Sequence, residues 1–190
     1  MSSAQPASAT TAPITCEVLE AAGFGREIPA LAEILADAVD SGSSVNFVKP
    51  FSVADAAAYW SGRTAEVRSG AIRPVVARLD GQVVGCALLV PSRNPNSRHR
   101  AEVAKVLVHR RARRRGIGTV LMGTIEEVAL ADGRWLLILD TTTGSDADRM
   151  YRRLGWVPFG EVPDHALTAD GVLSDTTYFF KDLRPGGGAA

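Results

Sequence analysis

The sequence predicts an α/β fold in which helices cover both faces of a mixed central sheet of about seven strands. Three observations support this prediction. Apolar residues alternate between strand and helix spacing along the chain, in the order β-α-α-β-β-β-α-β-α-β-β. Asp80-Gly81 separates two strand-like segments, as in a tight antiparallel hairpin. Residues 135–140 form a continuous apolar run that ends in an aspartate, which is typical of a central strand covered on both faces.

The length and composition suit one globular domain, which we place at residues 14–183 of the 190. Residues 1–13 are rich in Ala, Ser, Thr and Pro and predict a disordered leader, and residues 184–190 predict a flexible tail. A formal net charge of zero gives no overall attraction to nucleic acid or to an anionic membrane. The chain lacks a signal peptide, an apolar run of ~18 residues and cysteines at metal-ligand spacing. We therefore expect a cytoplasmic protein without a metal site.

The N-terminal part predicts one strand and two helices. Residues 14–19 can form the first strand. Residues 26–39 place apolar side chains on one face at helical spacing, and a Ser/Gly-rich segment then ends this helix. Ser52 has the position of an N-cap for a second helix that runs to about Arg68, with Asp55 in the favoured first turn.

The rest of the chain predicts six more strands, two helices and a long connection. The predicted elements are strands at 73–79, 82–90 and 100–108, a helix that ends at Gly133, a strand at 135–140, a helix between Ser145 and Gly155, and strands at 156–162 and 174–181. The connection at 163–173 contains Asp170-Gly171, which is typical of a turn.

The stretch 103–122 combines a buried strand, a basic turn and the start of a helix. The strand ends at His109, and five arginines follow within residues 110–115. Gly116 and Gly118 lie in the turn before apolar residues adopt helical spacing. The first N–H groups of a helix lack intrahelical partners and carry the positive end of the helix dipole. Glycine allows an anion to approach them, and arginine matches phosphate oxygens, so the turn predicts a phosphate-binding site.

Two less specific interpretations compete with this one. A glycine pair can simply make a tight turn, and an arginine run can be a solvated face. The strand before the turn and the helix after it favour the phosphate site. Two known phosphate motifs are excluded, because no Gly-Lys-Ser/Thr follows and the three-glycine dinucleotide pattern is missing.

Two segments carry a resemblance to a known family. Arg113-Arg114-Arg115-Gly116-Ile117-Gly118 resembles the Gln/Arg-x-x-Gly-x-Gly/Ala motif of the GNAT N-acetyltransferases. Residues 147–156, Ala-Asp-Arg-Met-Tyr-Arg-Arg-Leu-Gly-Trp, resemble a second motif of that family, with Tyr151 at its tyrosine. The chain departs from the family at Arg114, where glycine is usual, and at Gly144, where many members carry a cofactor-contacting Asn.

Several shorter segments look most like one branch of this family, the tabtoxin-resistance acetyltransferases. They are Leu139-Asp140-Thr141, Gly144-Ser145, Ala169-Asp170-Gly171 and Tyr178-Phe179-Phe180-Lys181.

The resemblance implies acetyl-CoA as cofactor. In the family, the N–H groups of the glycine turn receive the pyrophosphate of coenzyme A, and the backbone of the fourth strand pairs with the pantetheine arm and polarises the thioester carbonyl. The positions that correspond here are Val106, Leu107, Val108, Arg113, Arg114, Arg115, Gly116, Ile117, Gly118 and Thr119. The oligomeric state, monomer or homodimer, stays open.

Three residues are candidates for acid–base catalysis. Tyr151 lies in the matched motif, and its phenol can protonate a departing thiolate. The simpler alternative is that Tyr151 only packs beside Trp156. Glu102 and Asp140, near the start and the end of their predicted strands, are candidates for the general base, and both resemble acidic residues that matter in the tabtoxin-resistance branch. Asp140 can instead bind a cationic amine, and Glu102 can be an ordinary solvent-facing residue.

The predicted reaction is transfer of an acetyl group to an amine, or a hydroxyl, of a small amino-acid-like molecule, in the manner of a toxin-resistance enzyme. We expect acceptor contacts from residues 45–51 and from the connection 163–173. Phe47 and Phe51 can equally pack down the linker. His165 can border this site, but no histidine is assigned a role. The alternatives are a peptide or protein N-acetyltransferase, a cofactor-binding sensor, and a nucleic-acid-binding module that uses the arginine turn.

Overall fold

The computed structural model describes residues 13–186, which build one seven-stranded sheet in the order β1-β2-β3-β4-β5-β7-β6. The strands are β1 (Thr15–Val18), β2 (Arg73–Leu79), β3 (Gln82–Pro91), β4 (Arg100–Val108), β5 (Leu136–Thr142), β6 (Val157–Leu167) and β7 (Leu173–Asp182). Neighbouring strands are antiparallel except β4 and β5, which are parallel. The predicted mixed sheet is confirmed. The predicted leader and tail lie mostly outside the described residues.

Helices cover both faces of this sheet, as predicted. One face carries α1 (Ala21–Asp40), α2 (Val53–Gly62) and α3 (Thr64–Arg68), and the other carries α4 (Ile117–Ala131) and α5 (Asp146–Arg153). Each face has its own buried core: Phe24 and Trp60 lie in the core under α1 and α2, and Ile125 and Phe179 lie in the core under α4 and α5. Within residues 13–186, no helix has the length and apolar character needed to cross a membrane.

Helix α1 begins at Ala21, earlier than the predicted start at Arg26. Its first turn is held by Phe24, which is fully buried. The helix also continues through Pro29. The burial of one apolar face therefore outweighs the missing N–H of the proline, a tertiary effect that local propensity does not show.

The second predicted helix is two helices. Ser52 caps α2 as expected, and a full capping box forms because Ser52 Oγ accepts from the Asp55 N–H while the Asp55 carboxylate accepts from the Ser52 N–H. The helix breaks at Arg63, and α3 follows it.

The strands β2 and β4 have their predicted limits, and the hairpin between β2 and β3 is confirmed with positive φ at Asp80 and Gly81. The long connection predicted at 163–173 is wrong, because β6 runs on to Leu167 and pairs there with Leu173 of β7. Pro163 is tolerated because β6 is the edge strand of the sheet.

A cleft opens between β4 and β5. Their pairing ends at Glu102, which lies opposite Ile138. Beyond this pair β4 has one extra residue relative to β3, since Cys86 pairs with Leu107 but Leu88 pairs with Ala104. A bulge of this kind bends its strand, and here it accompanies the divergence of β4 from β5.

The cleft leaves one face of β5 uncovered. Leu137 and Leu139 are buried, but Asp140 is exposed on the opposite face. The prediction that β5 is covered on both faces is therefore wrong for its C-terminal half. This exposure has a long-range cause, because it depends on where β4 diverges from β5.

Candidate active site

The turn before α4 leaves backbone donors free. Gly116 has φ +79°, a left-handed conformation, and α4 begins directly after it. No side chain caps this helix, and within residues 13–186 the N–H groups of Ile117, Gly118 and Thr119 have no hydrogen-bond acceptor. A Cβ added at Gly116 would meet no atom within 4 Å, so the space in front of these donors is open. This end of α4 can therefore receive an anionic group, as the sequence predicts.

Gly118 has a second purpose. A Cβ added there would lie 2.9 Å from Met150 Sδ on α5. A Cβ at this position would force the Met150 side chain to move, so glycine leaves room for that side chain. Gly116 supplies the turn, and Gly118 leaves space for Met150.

The arginines of the turn divide into two groups. Arg110 donates its backbone N–H and its guanidinium to Asp37 on α1, and Arg113 donates to Val108 O at 3.0 Å and to Ser41 Oγ at 2.7 Å. These two arginines tie the turn to α1. The side chains of Arg111, Arg114 and Arg115 are exposed and make no hydrogen bond or ion pair within the described residues. This second group is therefore free to meet phosphate oxygens.

Arg114 has φ +63°. This left-handed conformation is costly for an L-residue with a side chain and favours glycine, which is the usual family residue here. The departure that the sequence shows at this position is therefore a strained one.

Strand β4 borders the cleft with its backbone. After Glu102 it has no partner strand on its β5 side, while it stays paired with β3 through Val108. Val106 and Val108 pack into the α4 core, and Leu107 packs into the α1 core. Side chains are thus committed to the two cores, and the free strand edge faces the cleft. An extended ligand arm can pair with this edge like an added strand.

Glu102 and Asp140 lie on the same face of the sheet. Glu102 pairs with Ile138, and Asp140 follows two positions later on β5, so both side chains project toward the α1 and α2 side. Burial, and then the charge of Asp140, raises the pKa of the Glu102 carboxyl, and the charge of Lys105 opposes this. The structure therefore brings together the two carboxylates that the sequence proposed.

Tyr151 reaches the cleft from the other face. It lies on α5, is 4% exposed, and its ring packs near Trp156 and Phe179 with centroid separations of 6.1 and 6.0 Å. Its hydroxyl makes no hydrogen bond within residues 13–186. Burial, and then the charge of Asp140, raises the pKa of the phenol above its ordinary value. Tyr151 is thus a protonated group throughout the neutral range.

The loop before α5 fixes the position of that helix. Ser145 Oγ accepts from the Asp148 N–H at 3.1 Å, and the Asp148 carboxylate accepts from the Gly144 N–H at 2.8 Å and from Arg152. Gly144 has φ +71°. At the position where many family members contact the cofactor through Asn, this chain uses the backbone of Gly144 to hold α5.

The linker before α2 contributes aromatic side chains. Phe47 and Phe51 lie 4.4 Å apart between ring centroids, and Phe47 meets Tyr59 of α2 edge-on at 5.2 Å. These contacts support the packing interpretation of the linker. They also bring the aromatic group over the acceptor side of the cleft, next to Lys105.

Sequence reasoning missed Lys105, which lies in the bulge of β4 with φ +51°. Its Nζ lies 5.9 Å from the ring centroids of both Phe47 and Tyr59. A lysine between apolar residues of a buried strand was the available signal in the sequence. Tyr178 of β7 was also missed as a lining residue: it pairs with Asp140, and its hydroxyl is 2.8 Å from His165 Nε2.

Comparisons with known proteins agree with this geometry. Residues 37–156 match the profile of the acetyltransferase (GNAT) family, and both sequence motifs lie inside the match. Three solved structures illustrate the likeness. An N-acetyltransferase from Staphylococcus aureus Mu50 has 18% identity and a TM-score of 0.74 over 90% of this chain and 99% of the other.

A ribosomal-protein-alanine N-acetyltransferase from Brucella melitensis has 26% identity and a TM-score of 0.71 over 89% of this chain and 99% of the other. A phosphinothricin acetyltransferase from Sinorhizobium meliloti, solved with acetyl-CoA, has 24% identity and a TM-score of 0.71 over 90% of this chain and 88% of the other. The uncapped start of α4 and the open edge of β4 fit the same cofactor. The chain belongs to the GNAT family of acetyltransferases and uses acetyl-CoA.

Proposed function

We propose that this acetyltransferase acts on the amine of a small amino-acid-like molecule, with a hydroxyl as the alternative acceptor atom. One observation carries the proposal: Glu102 and Asp140 border the cleft on one face of the sheet, and Tyr151 borders it from the other. A base and an acid thus face the same opening from opposite sides. Acetyl transfer from a thioester to an amine is helped by a base that takes the amine proton and an acid that gives one to the sulfur.

The cofactor seat is proposed at the two places where backbone donors are free. The start of α4 would hold the pyrophosphate, and the edge of β4 would hold the pantetheine arm. The assigned residues are those of the sequence prediction, namely Val106, Leu107, Val108, Arg113, Arg114, Arg115, Gly116, Ile117, Gly118 and Thr119. Among them, Arg113 acts by holding the turn to Val108 and Ser41. When bound, acetyl-CoA supplies the acetyl group and a thiolate leaving group.

Glu102 is our first choice for the general base. A carboxyl with a raised pKa is a better match to a proton from an ammonium than one with an ordinary value. It would take the proton directly or through a water molecule. Asp140 is exposed and lies next to it, so it would hold the cationic amine before the proton leaves.

Tyr151 is proposed as the general acid. Its raised pKa keeps the phenol protonated, so the proton is available when the thiolate departs. Because the reference pKa of a thiol, about 8.5, lies below that of the phenol, the phenol shares its proton with the sulfur only as the C–S bond breaks and negative charge forms there. The buried ring, fixed by Trp156 and Phe179, holds the hydroxyl in place.

The small-acceptor proposal is favoured over a peptide acceptor by the linker. Phe47, Phe51 and Tyr59 form a continuous aromatic group beside Lys105, a surface that suits the apolar part of a small acceptor. The 24% identical relative is named for phosphinothricin, and a resistance role of the tabtoxin type agrees with that chemistry. The 26% identical relative is named for a ribosomal-protein alanine, and it keeps protein acetylation as the second candidate.

A nucleic-acid-binding role has less support. Arg110 and Arg113 are engaged by Asp37 and Ser41, so the arginine cluster offers less free charge than the sequence suggests. The formal net charge of the chain is zero. The cytoplasmic location and the choice between monomer and homodimer stay predictions.

The test is a thermal-shift titration with acetyl-CoA, coenzyme A and ATP, followed by a panel of amines read out by free thiol release. We expect stabilisation by acetyl-CoA and coenzyme A but not by ATP, and thiol release with small amino-acid-like amines. Release with an N-terminal peptide of a ribosomal protein, and with none of the small amines, would replace the proposal by its second candidate.

A further inference from the structure

The three lysines of the chain differ in their partners. Lys49 Nζ lies 2.9 Å from the Asp170 carboxylate, and Lys181 Nζ lies 2.7 Å from Glu126 and 2.8 Å from Leu154 O. All three lysines belong to the described part of the chain, and in that part Lys105 is the one whose ammonium makes neither a hydrogen bond nor an ion pair.

The surroundings of Lys105 are partly apolar. Its Nζ lies 5.9 Å from the ring centroids of Phe47 and Tyr59, and the side chain is partly buried between them and the sheet. The contact with two ring faces is favourable but does not replace hydrogen bonds, because an ammonium has three donors to satisfy.

The bulge in β4 determines on which face of the sheet the Lys105 side chain lies. Without the extra residue, strand alternation would place position 105 on the face of Val103, toward the α4 core. With φ +51° at Lys105 the side chain instead joins Glu102 on the α1 and α2 side. A strained backbone conformation is thus used to bring a cation into the acceptor half of the cleft.

No carboxylate of the described residues forms an ion pair with Lys105, so its ammonium can still pair with an anion. Arg63, whose Cζ lies 5.5 Å from the Tyr59 ring centroid, is already paired with Glu66 at 2.7 Å. Glu102 and Asp140 act on Lys105 by charge but lie beyond ion-pair distance of its Nζ.

We propose that Lys105 binds an anionic group of the acceptor, a carboxylate or another oxyanion attached near the reacting amine. This inference rests on the proposed function and makes the substrate class more specific, because the acceptor is then a zwitterion. Its amine faces Glu102 and Asp140, its anionic group faces Lys105, and its apolar part packs on Phe47 and Tyr59. Burial, and then the charge of Arg63, lowers the pKa of Lys105. A bound anion would reverse that effect, as expected for a site completed by its ligand.

Competitive labelling tests the site without requiring turnover. The protein, saturated with desulfo-coenzyme A, is treated with a trace of deuterated acetic anhydride, and the labelled lysines are quantified by peptide mass spectrometry. The amine of an added amino acid or amide also consumes the anhydride, and the labelling of Lys49 and Lys181 corrects for that loss. We expect an apolar L-amino acid such as leucine or phenylalanine to slow the labelling of Lys105 by about tenfold, while its α-amide leaves the labelling unchanged. Equal effects of the acid and the amide, or no effect of any acid, would overturn the proposal.

Two variants carry the test to the reaction. In Lys105→Met we expect the KM for the amino acid to rise by about 10- to 100-fold while the KM for its α-amide stays within about twofold, and Lys105→Arg should recover part of the loss. A KM that rises equally for acid and amide would contradict the anion site. Protection of Lys105 without thiol release from any acceptor would instead refute acetyl transfer to small amines and leave the anion site standing. The melting temperature of each variant confirms that it folds.

Discussion

Burial raises the pKa of the Glu102 carboxyl, and the charge of Asp140 on the neighbouring strand raises it further. The two residues share one face of the sheet at the point where β4 and β5 stop pairing, so neither is screened by a strand between them. Two acids that approach one cleft cannot both be fully charged at low cost. The divergence of β4 and β5 thus opens the cleft and places both carboxylates at its border.

We predict that Asp140→Asn shifts the acidic limb of the pH–rate profile to lower pH. Because the charge of Asp140 raises the pKa of Glu102, its removal lowers that pKa, and Glu102 stays deprotonated to lower pH. The profile of kcat/KM against pH measures the shift. Asp182→Asn, at the end of β7 beside Arg184, is the control and should leave the limb in place. If the limb of Asp140→Asn coincides with that of the wild type, Glu102 is not the group that titrates.

We predict that Tyr151→Phe lowers kcat by about 10²- to 10⁴-fold with little change in acetyl-CoA affinity, since the phenol matters only as the thiolate leaves. Thiol release gives kcat, and calorimetry gives the affinity. Tyr178→Phe removes the other phenol that lines the cleft, on the acceptor side beside Asp140, and we expect it to change the acceptor KM more than kcat. The raised pKa of Tyr151 adds that no basic limb from its ionisation appears below about pH 10. Unchanged turnover of Tyr151→Phe would remove it as the acid.

We predict that Gly116→Val abolishes measurable acetyl-CoA binding, because a branched side chain fills the open space before the α4 donors and does not suit φ +79°. Gly133→Val is the control: Gly133 has φ +71° at the other end of α4 and also has no atom within 4 Å of a built Cβ. Both variants should lose about 1–2 kcal/mol of stability. Only the first should lose the cofactor in calorimetry, and a normal affinity there would refute the assignment of this turn.

We predict that Arg114→Gly stabilises the fold by about 0.5 kcal/mol. Relief of a left-handed residue gains about 1–2 kcal/mol, and the added freedom of glycine in the unfolded chain takes back about 0.5–1 kcal/mol. Arg115→Gly removes the same charge from the next position without the relief and should destabilise. Urea unfolding compares the two. A lower stability for both would show that the arginine side chain at 114 stabilises the turn by more than its backbone strain costs.

The elements that the sequence predicted well are those with local causes. Asp80-Gly81 needs only two residues that tolerate positive φ, and Ser52 needs only Asp55 three positions later. The turn at Gly116, with its left-handed conformation before α4, depends equally on neighbours in sequence. The causes of these features lie in residues a few positions apart, so a sequence pattern can reveal them.

The failures had distant causes. The start of α1 depends on the burial of Phe24 in the folded protein. The extension of β6 past Pro163 depends on its pairing with β7. The position of Lys105 depends on a bulge that is visible only against β3. Tyr151, Glu102 and Asp140 were proposed from a family resemblance and from their places in the predicted elements, whereas Lys105 became visible only in the folded sheet.

The unpaired edge of β4 has a consequence for the stability of the folded protein. At an unpaired strand edge, the backbone N–H and C=O groups bond to water. A ligand arm that pairs with this edge would replace those bonds with its own. A ligand at 100 times its Kd adds about 2.7 kcal/mol to the stability of the folded state. We therefore expect amide exchange along residues 103–108 to slow when acetyl-CoA is added. Because proteolysis starts from opened states, we expect acetyl-CoA also to slow the digestion of the purified protein by an added protease.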